Sequence, residues 1–381
     1  MKKGIIDIFE NMNKKGTFTR NLLVKSIVTE SFPRLRGSMI RKVRTIIILA
    51  SLLFIIIPDQ LSAQKKPRQV AAPVSDDFYE SLLVLSSVQM EGREAGTRGS
   101  LMASDYIASK MKFNGLQPFG DLTSEQSRKK PEKRSWFQNF KALTFRDFRD
   151  SMLLTGVSTT TRADTTSLRN VLGIIYGKDR SESIIIGAHY DHLGIRDGKT
   201  FFGADDNASG VAGMLSFAAK WSASGIKPPC NIIFTAWAAE EKGLIGSSYF
   251  VQQEGPELNK ILMLINMDMI AGNAPEDTLQ RIVSIGTRPS NANLRHIAIK
   301  ANQRMPKPFE LDLWDVTGHW GSDYAYFSTA GIPVMTFFSG FSDYYHTPDD
   351  TMDRTDLPKM ENILKLVNDC ILQVTDSLRT R

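Results

Sequence analysis

The sequence predicts an α/β sandwich, a β-sheet covered by helices on both sides. Two observations carry this. From Asn170 onward, short apolar runs alternate with segments at helical spacing, the order expected when strands and helices pack in layers. The runs Ile184–Ile186 and Ile232–Phe234 are apolar at every position, as strands buried on both faces should be.

The elements follow in order. Residues 64–76 are polar and proline-containing and read as a linker. From Asp77 the spacing of Phe78, Leu82, Leu83 and Leu85 predicts a helix, and Met90–Thr97 a glycine-rich connection. Leu101–Met111 returns to helical spacing, with Met102, Tyr106, Ile107 and Met111 as its stripe. Residues 118–135 are charged and read as a surface loop, and Trp136–Leu154 as a strand with a charged hairpin. Strands are then expected at Val171–Tyr176, Ile184–Ile186, Ile232–Trp237, Leu262–Met267, Ile282–Ile285 and Val334–Phe338. Helices are expected at Ala208–Trp221, Leu244–Gln252, Asn293–Gln303, Tyr324–Thr329 and Leu357–Leu378. There is no internal repeat and no low-complexity tract, so residues 77–381 read as a single domain.

The formal net charge of +6 is misleading. Residues 1–63 carry eleven Lys/Arg against four Asp/Glu, a surplus of seven, so residues 64–381 have a net charge of −1. The charge therefore gives no case for nucleic-acid binding. Arg41-Lys-Val-Arg44 precedes the 13-residue apolar core Thr45–Ile57, and Ala63 offers a cleavage point, so residues 39–63 read as a secretory signal peptide. Thirteen residues are short of the ~20 a membrane span needs, so no stable membrane anchor is expected after cleavage. Met39 is the expected start, with residues 1–38 an upstream extension. The expected location is outside the cytoplasm, periplasmic or extracellular. Cys230 and Cys370 form no CxxC and read as two buried thiols.

Chemistry collects at the strand ends. His189 closes one apolar run, Asp268 follows another, Glu240 and Glu241 follow a third, Asp206 opens a helix of small residues, and His346 lies in a polar loop after a fourth run. His189, Asp206, Glu241, Asp268 and His346 have the imidazole and carboxylate groups that zinc accepts in catalytic sites. Neighbouring strands stand ~4.8 Å apart, and ligand sites in α/β sheets form beyond the carboxyl ends of the strands. Two metals need a carboxylate between them, and Asp206 is placed for that. Asp191, two residues past His189, is placed to accept the other imidazole N–H. Neighbouring residues at a strand end point in different directions. One of the two glutamates can therefore hold metal while the other faces substrate as a general base. Singly, each of these residues has a bland reading, such as an Asp capping a helix. His192, His296 and His319 read as structural or surface histidines.

The motifs Ala188-His-Tyr-Asp-His-Leu-Gly194, Gly203-Ala-Asp-Asp-Asn-Ala-Ser-Gly210, Ala238-Ala-Glu-Glu-Lys-Gly-Leu-Ile-Gly-Ser247, Asn266-Met-Asp-Met269 and Tyr345-His-Thr-Pro-Asp-Asp-Thr351 resemble, in order and spacing, metallopeptidase family 28, the secreted di-zinc aminopeptidases. The resemblance spans residues 77–381 and is strongest from 170 to 351. It implies a zinc exopeptidase-like fold, a mixed central β-sheet of about eight strands sandwiched between helices. It implies two Zn²⁺, one held by His189, Asp206 and Asp268, the other by Asp206, Glu241 and His346. Glu240 matches the general base, Asp191 the orienting carboxylate, and Tyr345 a tyrosine that polarises the scissile carbonyl. A cis peptide is expected at Asp206–Asn207. Ser322-Asp323-Tyr324 departs from a Ser-Asp-His common in relatives. The implied function is release of N-terminal residues from peptides by a metal-bridging hydroxide. The alternatives are a glutaminyl-cyclase-type acyltransferase, another exopeptidase (carboxypeptidase or dipeptidase), and a non-enzymatic receptor module on the same scaffold. Side-chain preference and oligomeric state are left open.

Overall fold

A computed structural model of the chain describes residues 77–123, 133–145 and 163–378. The expected signal peptide, upstream extension and linker, and the hairpin expected beyond Phe145, lie outside the described residues. Two helices come first, α1 (Asp77–Leu85) and α2 (Arg98–Phe113). The strands β1 (Gln117–Pro118), β2 (Phe137–Phe145), β3 (Ala163–Ile175) and β4 (Ser183–His189) follow. A hairpin of β5 (Gly194–Arg196) and β6 (Lys199–Phe201) leads to α3 (Gly210–Ala223) and β7 (Asn231–Trp237). Then come α4 (Ile245–Glu254), β8 (Ile261–Met267), β9 (Ile282–Thr287), α5 (Ala292–Gln303) and β10 (Glu310–Asp315). The chain closes with α6 (Tyr324–Thr329), β11 (Val334–Phe338) and α7 (Leu357–Leu378).

Nine of these strands form one mixed sheet in the order β1-β3-β7-β4-β8-β11-β9-β10, with β2 beside β1 on the same edge of β3. The four central strands β7, β4, β8 and β11 are parallel, so their carboxyl ends share one edge of the sheet. β3 and β9 run antiparallel to the block on either side.

Alternation sorts the strand side chains into two cores. Ile184 and Ile186 of β4, with Ile232 and Phe234 of β7, face α1, α2, α3, α5 and α7. Ile185 and Ile233 face the other way, into a smaller core with Trp237, Phe250 and Phe327 under α4 and α6. Each fully buried Ile or Leu contributes ~1.5–3 kcal/mol, so both faces of the sheet are held. Where β4 passes β7, only glycine fits: a Cβ at Gly187 would lie 2.6 Å from the Trp237 indole nitrogen.

Three elements go beyond the sequence reading. β10, with the sequence Glu-Leu-Asp-Leu-Trp-Asp, is a half-exposed edge strand whose acidic residues mask its period of two. The β5–β6 hairpin turns on Asp197 and Gly198, both at positive φ (49° and 73°), as a two-residue Asp-Gly turn requires. α3 starts at Gly210 rather than Ala208, because residues 204–209 form an irregular turn around the site. Cys230 and Cys370 are both free and buried. No helix among the described residues is long and apolar enough to cross a membrane.

A buried ion pair pins α7 to the loop after β8. Lys359 Nζ donates to Asp277 Oδ2 at 2.6 Å, to Asn273 Oδ1 at 2.9 Å and to the Ser339 carbonyl at 3.2 Å. Burial alone would raise the Asp277 carboxyl. The Lys359 ammonium and the backbone N–H groups of Arg281 and Ile282 outweigh it and hold the pKa below the usual range. A depressed carboxyl stabilises the fold above its unfolded pKa of ~3.9, and that stability is lost as pH falls through the folded value. Asp277→Asn is therefore expected to cost ~3–5 kcal/mol near neutral pH by leaving a buried ammonium uncompensated. In thermal melts across a pH series the deficit should shrink below pH ~4. A deficit independent of pH would show that the pair's charge does not matter.

Candidate metal centre

The parallel block delivers most of the site from one edge. His189 is the last residue of β4, Asp268 follows β8, and Glu240 and Glu241 lie three and four residues beyond β7. His346 reaches the same edge from the loop after β11, and Asp206 from the turn before α3. The chain bends sharply beside these residues. Ala239, Met269 and His346 take left-handed φ values of 58°, 53° and 57°, which costs a residue with a Cβ and marks positions fixed by their surroundings. The Asp206–Asn207 peptide is cis, as the resemblance implied.

The ligand atoms form two sets that share Asp206. His189 Nε2 lies 3.1 Å from Asp268 Oδ1 and 3.4 Å from Asp206 Oδ1. His346 Nε2 lies 3.1 Å from Asp206 Oδ2 and 3.2 Å from Glu241 Oε1. The two oxygens of Asp206 thus face different imidazoles, the geometry of a carboxylate between two cations. Zinc bonds of ~2.0–2.1 Å in a tetrahedron put ligand atoms ~3.3 Å apart, and these separations match. The donors fit zinc in type as well as spacing.

Other residues hold this set in place. The Asp350 carboxylate accepts the backbone N–H of Asp205 at 2.8 Å and of Asp206 at 3.0 Å. The Asn207 carboxamide donates to the Met267 carbonyl and accepts from Met269 N–H, tying the turn to the strand end that presents Asp268. Asp191 differs from expectation. His189 Nδ1 faces the Asp191 backbone carbonyl at 3.2 Å, and the carboxylate stands 3.9 Å off. That carboxylate instead accepts the backbone N–H of Glu240 at 3.0 Å and of Glu241 at 3.3 Å. It orients the glutamate pair through their backbone, while the carbonyl two residues on fixes the imidazole.

So many buried carboxylates perturb one another. Burial opposes protonation of His189, but Asp268 and Glu240 raise its pKa well above the ordinary value. Burial opposes protonation of His346 too, yet hydrogen bonds to Asp206 and Glu241 push it up to about 10. Burial pushes the Asp191 carboxyl up to about 6, against the pull of His189. Both histidines register surplus negative charge, which a bound cation would neutralise.

Three contributors escaped the sequence reading. His192 is fully buried, with Nδ1 3.1 Å from Glu241 Oε1, whereas His296 and His319 are exposed. Arg93, in what reads as a plain glycine-rich connection, is fully buried and donates to the carbonyls of Leu85, Tyr190, Phe202 and Gly203. Asp350 sits inside a recognised motif but gave no sign of its partner 144 residues away. The second His of His-Tyr-Asp-His was the one available signal.

The site opens into a cavity of about 310 Å³ lined by His189, Asp206, Glu240, Asp268, Asp312 and Ser284, with Trp314, Tyr324, Phe338, Phe341 and Tyr345 as aromatic walls. Glu240 is 1% exposed and reaches this space, while Glu241 belongs to the ligand set. Tyr345 stacks on His346, ring centroids 3.9 Å apart, and lines the cavity. Tyr344 turns away and accepts from Arg354 at 2.9 Å. Tyr324, where a His was expected from relatives, also lines the cavity, and its hydroxyl accepts the Gly321 N–H at 3.3 Å.

An α/β sandwich with this ligand cluster at its carboxyl edge is the architecture of a zinc exopeptidase-like protein. The model of peptidase family M28 matches residues 170–371, and the chain belongs to that family. It is similar to leupeptin-inactivating enzyme 1 of Streptomyces exfoliatus, 31% identical over 172 residues, which cover 45% of this chain and 35% of that protein. Aminopeptidase YwaD of Bacillus subtilis is 26% identical over 54% of this chain and 44% of its own. A glutamate carboxypeptidase 2 homolog of Caenorhabditis briggsae is 32% identical over 49% of this chain and 27% of its own. The chain thus spans less than half the length of these three relatives. In fold it is similar to BSAP, a zinc aminopeptidase from Bacillus subtilis, with TM-score 0.58 at 20% identity over 81% of this chain and 96% of that one. It is also similar to LapA of Legionella, with TM-score 0.57 at 20% identity over 79% and 72%.

Because Asp350 clamps the backbone of the shared ligand, Asp350→Asn is expected to weaken zinc binding by ~10–100-fold without loss of helical signal. Competition with a chromophoric chelator measures this. Unchanged affinity would release Asp350 from that role.

Proposed function

We propose that the chain is an exported zinc-dependent aminopeptidase that hydrolyses the N-terminal peptide bond of peptide substrates. His189, Asp206 and Asp268 would hold one zinc, and Asp206, Glu241 and His346 the other. Bound there, the zincs would supply an activated water and a Lewis acid for the scissile carbonyl. The remaining work falls to the chain. Glu240 is placed in the cavity, beside the ligands but outside their sets, to take the proton from water and return it to the leaving amine. Asp191 holds Glu240 through its backbone N–H. Tyr345 offers a hydroxyl toward the carbonyl oxygen from the cavity wall.

One observation carries the choice of chain end. Among the described residues lining the cavity there is no Lys or Arg, whereas Glu240 and Asp312, carboxylates outside the two candidate ligand sets, both line it. Such a wall suits an N-terminal ammonium and repels a C-terminal carboxylate. The aromatic walls suit an apolar side chain in the first position. The proposal of export rests on the leader at residues 39–63.

A carboxypeptidase is the second reading, favoured by the name of the Caenorhabditis relative. Digestion of a peptide library followed by mass spectrometry separates the two. Ladders shortened from the N-terminus, lost on chelation and restored by zinc, are expected; ladders from the C-terminus would reverse the assignment. Ammonia released from an N-terminal Gln peptide, without free amino acid, would point to the cyclase alternative. Glu240→Ala should bind zinc normally and lose ~10²–10⁴ in kcat. Near-normal turnover would remove Glu240 from the reaction.

A further inference from the structure

We propose that His192 is a fourth protein ligand to one of the two metals. The inference rests on the reading of the cluster as a paired zinc centre and adds a ligand to it.

Distances carry the first part. His192 Nδ1 stands 3.1 Å from Glu241 Oε1 and 3.7 Å from Asp206 Oδ2. These bracket the ~3.3 Å edge of a tetrahedral zinc site. His346 Nε2 shows the same two neighbours at 3.2 and 3.1 Å. All four atoms lie within 4.8 Å of one another, whereas the second set contains three residues. The two rings are 5.7 Å apart at 69°, an edge-on arrangement that lets both aim nitrogen at one point.

The fold also builds a seat for this ring. His192 is 0% exposed. Gly203, at φ 57°, lies against it: a Cβ there would fall 2.5 Å from the imidazole Cγ. No side chain other than hydrogen leaves room for the ring at that place.

X-ray absorption on the full chain loaded with two equivalents of Zn²⁺ tests the proposal without any substitution. About 1.5 imidazoles per zinc are expected, three shared between two ions. One imidazole per zinc overturns the ligand role of His192 and leaves the aminopeptidase reading intact. Failure to bind zinc at all overturns both. In chelator competition, His192→Ala should weaken one site and leave the other unchanged. Two sites with the parent's affinities overturn the proposal. Should the alanine variant misfold, the absorption measurement on the unaltered chain decides.

Discussion

Crowded negative charge is the constraint around which this structure is arranged. Asp191, Asp205, Asp206, Glu240, Glu241 and Asp350 are all buried at one edge of the sheet, with Asp268 only partly exposed. Ionised carboxylates this close and this dry repel one another strongly unless positive charge or hydrogen-bond donors intervene. The chain supplies donors first. Backbone N–H groups of residues 205, 206, 240, 241 and 271 point at carboxylates rather than at solvent. It also buries a guanidinium nearby. Burial lowers the Arg93 pKa to about 10, and Asp350, Asp206, Asp191 and Glu241 pull it back up. The residual imbalance shows in the raised pKa values of His189 and His346. A pair of divalent cations would meet that imbalance where it is greatest.

The same constraint orders the interactions around the site. Several candidate ligands are held through the backbone by a second residue. Asp206 is held by Asp350, the strand end bearing Asp268 by Asn207, and the glutamate pair by Asp191. The left-handed residues beside the ligands show the backbone bent to present side chains, not relaxed around them. Both cores pack against the strands that carry this edge. The larger carries α3 and α7 against the strands, and the smaller packs Trp237 and Phe327 behind them.

Much of this was legible in the sequence, and the limits are physical. Central strands such as Ile232–Trp237 read clearly because burial on both faces leaves apolar residues at every position but Thr235. The edge strand β10 did not, because its exposed face carries Glu310 and Asp312 and looks like a charged loop. Of the five candidate ligand positions, His189, Asp268 and Glu241 stood out at or just past the ends of apolar runs, Asp206 at the start of a small-residue helix, and His346 in the polar loop after a fourth run. Their supports were silent, because a carboxylate that clasps backbone N–H groups, as Asp191 and Asp350 do, looks like any other Asp in a loop. Arg93 was harder still, since its partners are carbonyls from segments as far as 110 residues away. His192 was visible as a residue but not as a neighbour of Glu241, because proximity to His189 in sequence says nothing about which cation it would face.

The shared polarity of β7, β4, β8 and β11 has a consequence for how such a chain can change over time. Hydrogen bonding between neighbours fixes the spacing of their carboxyl termini, whatever joins the opposite ends. Insertions on the amino-terminal side of the sheet, or at its flanks, would leave the distances among the reactive groups untouched. A scaffold of this kind can gain or shed peripheral segments while its chemistry stays put, so enzymes of very different size could be built on one unvarying edge.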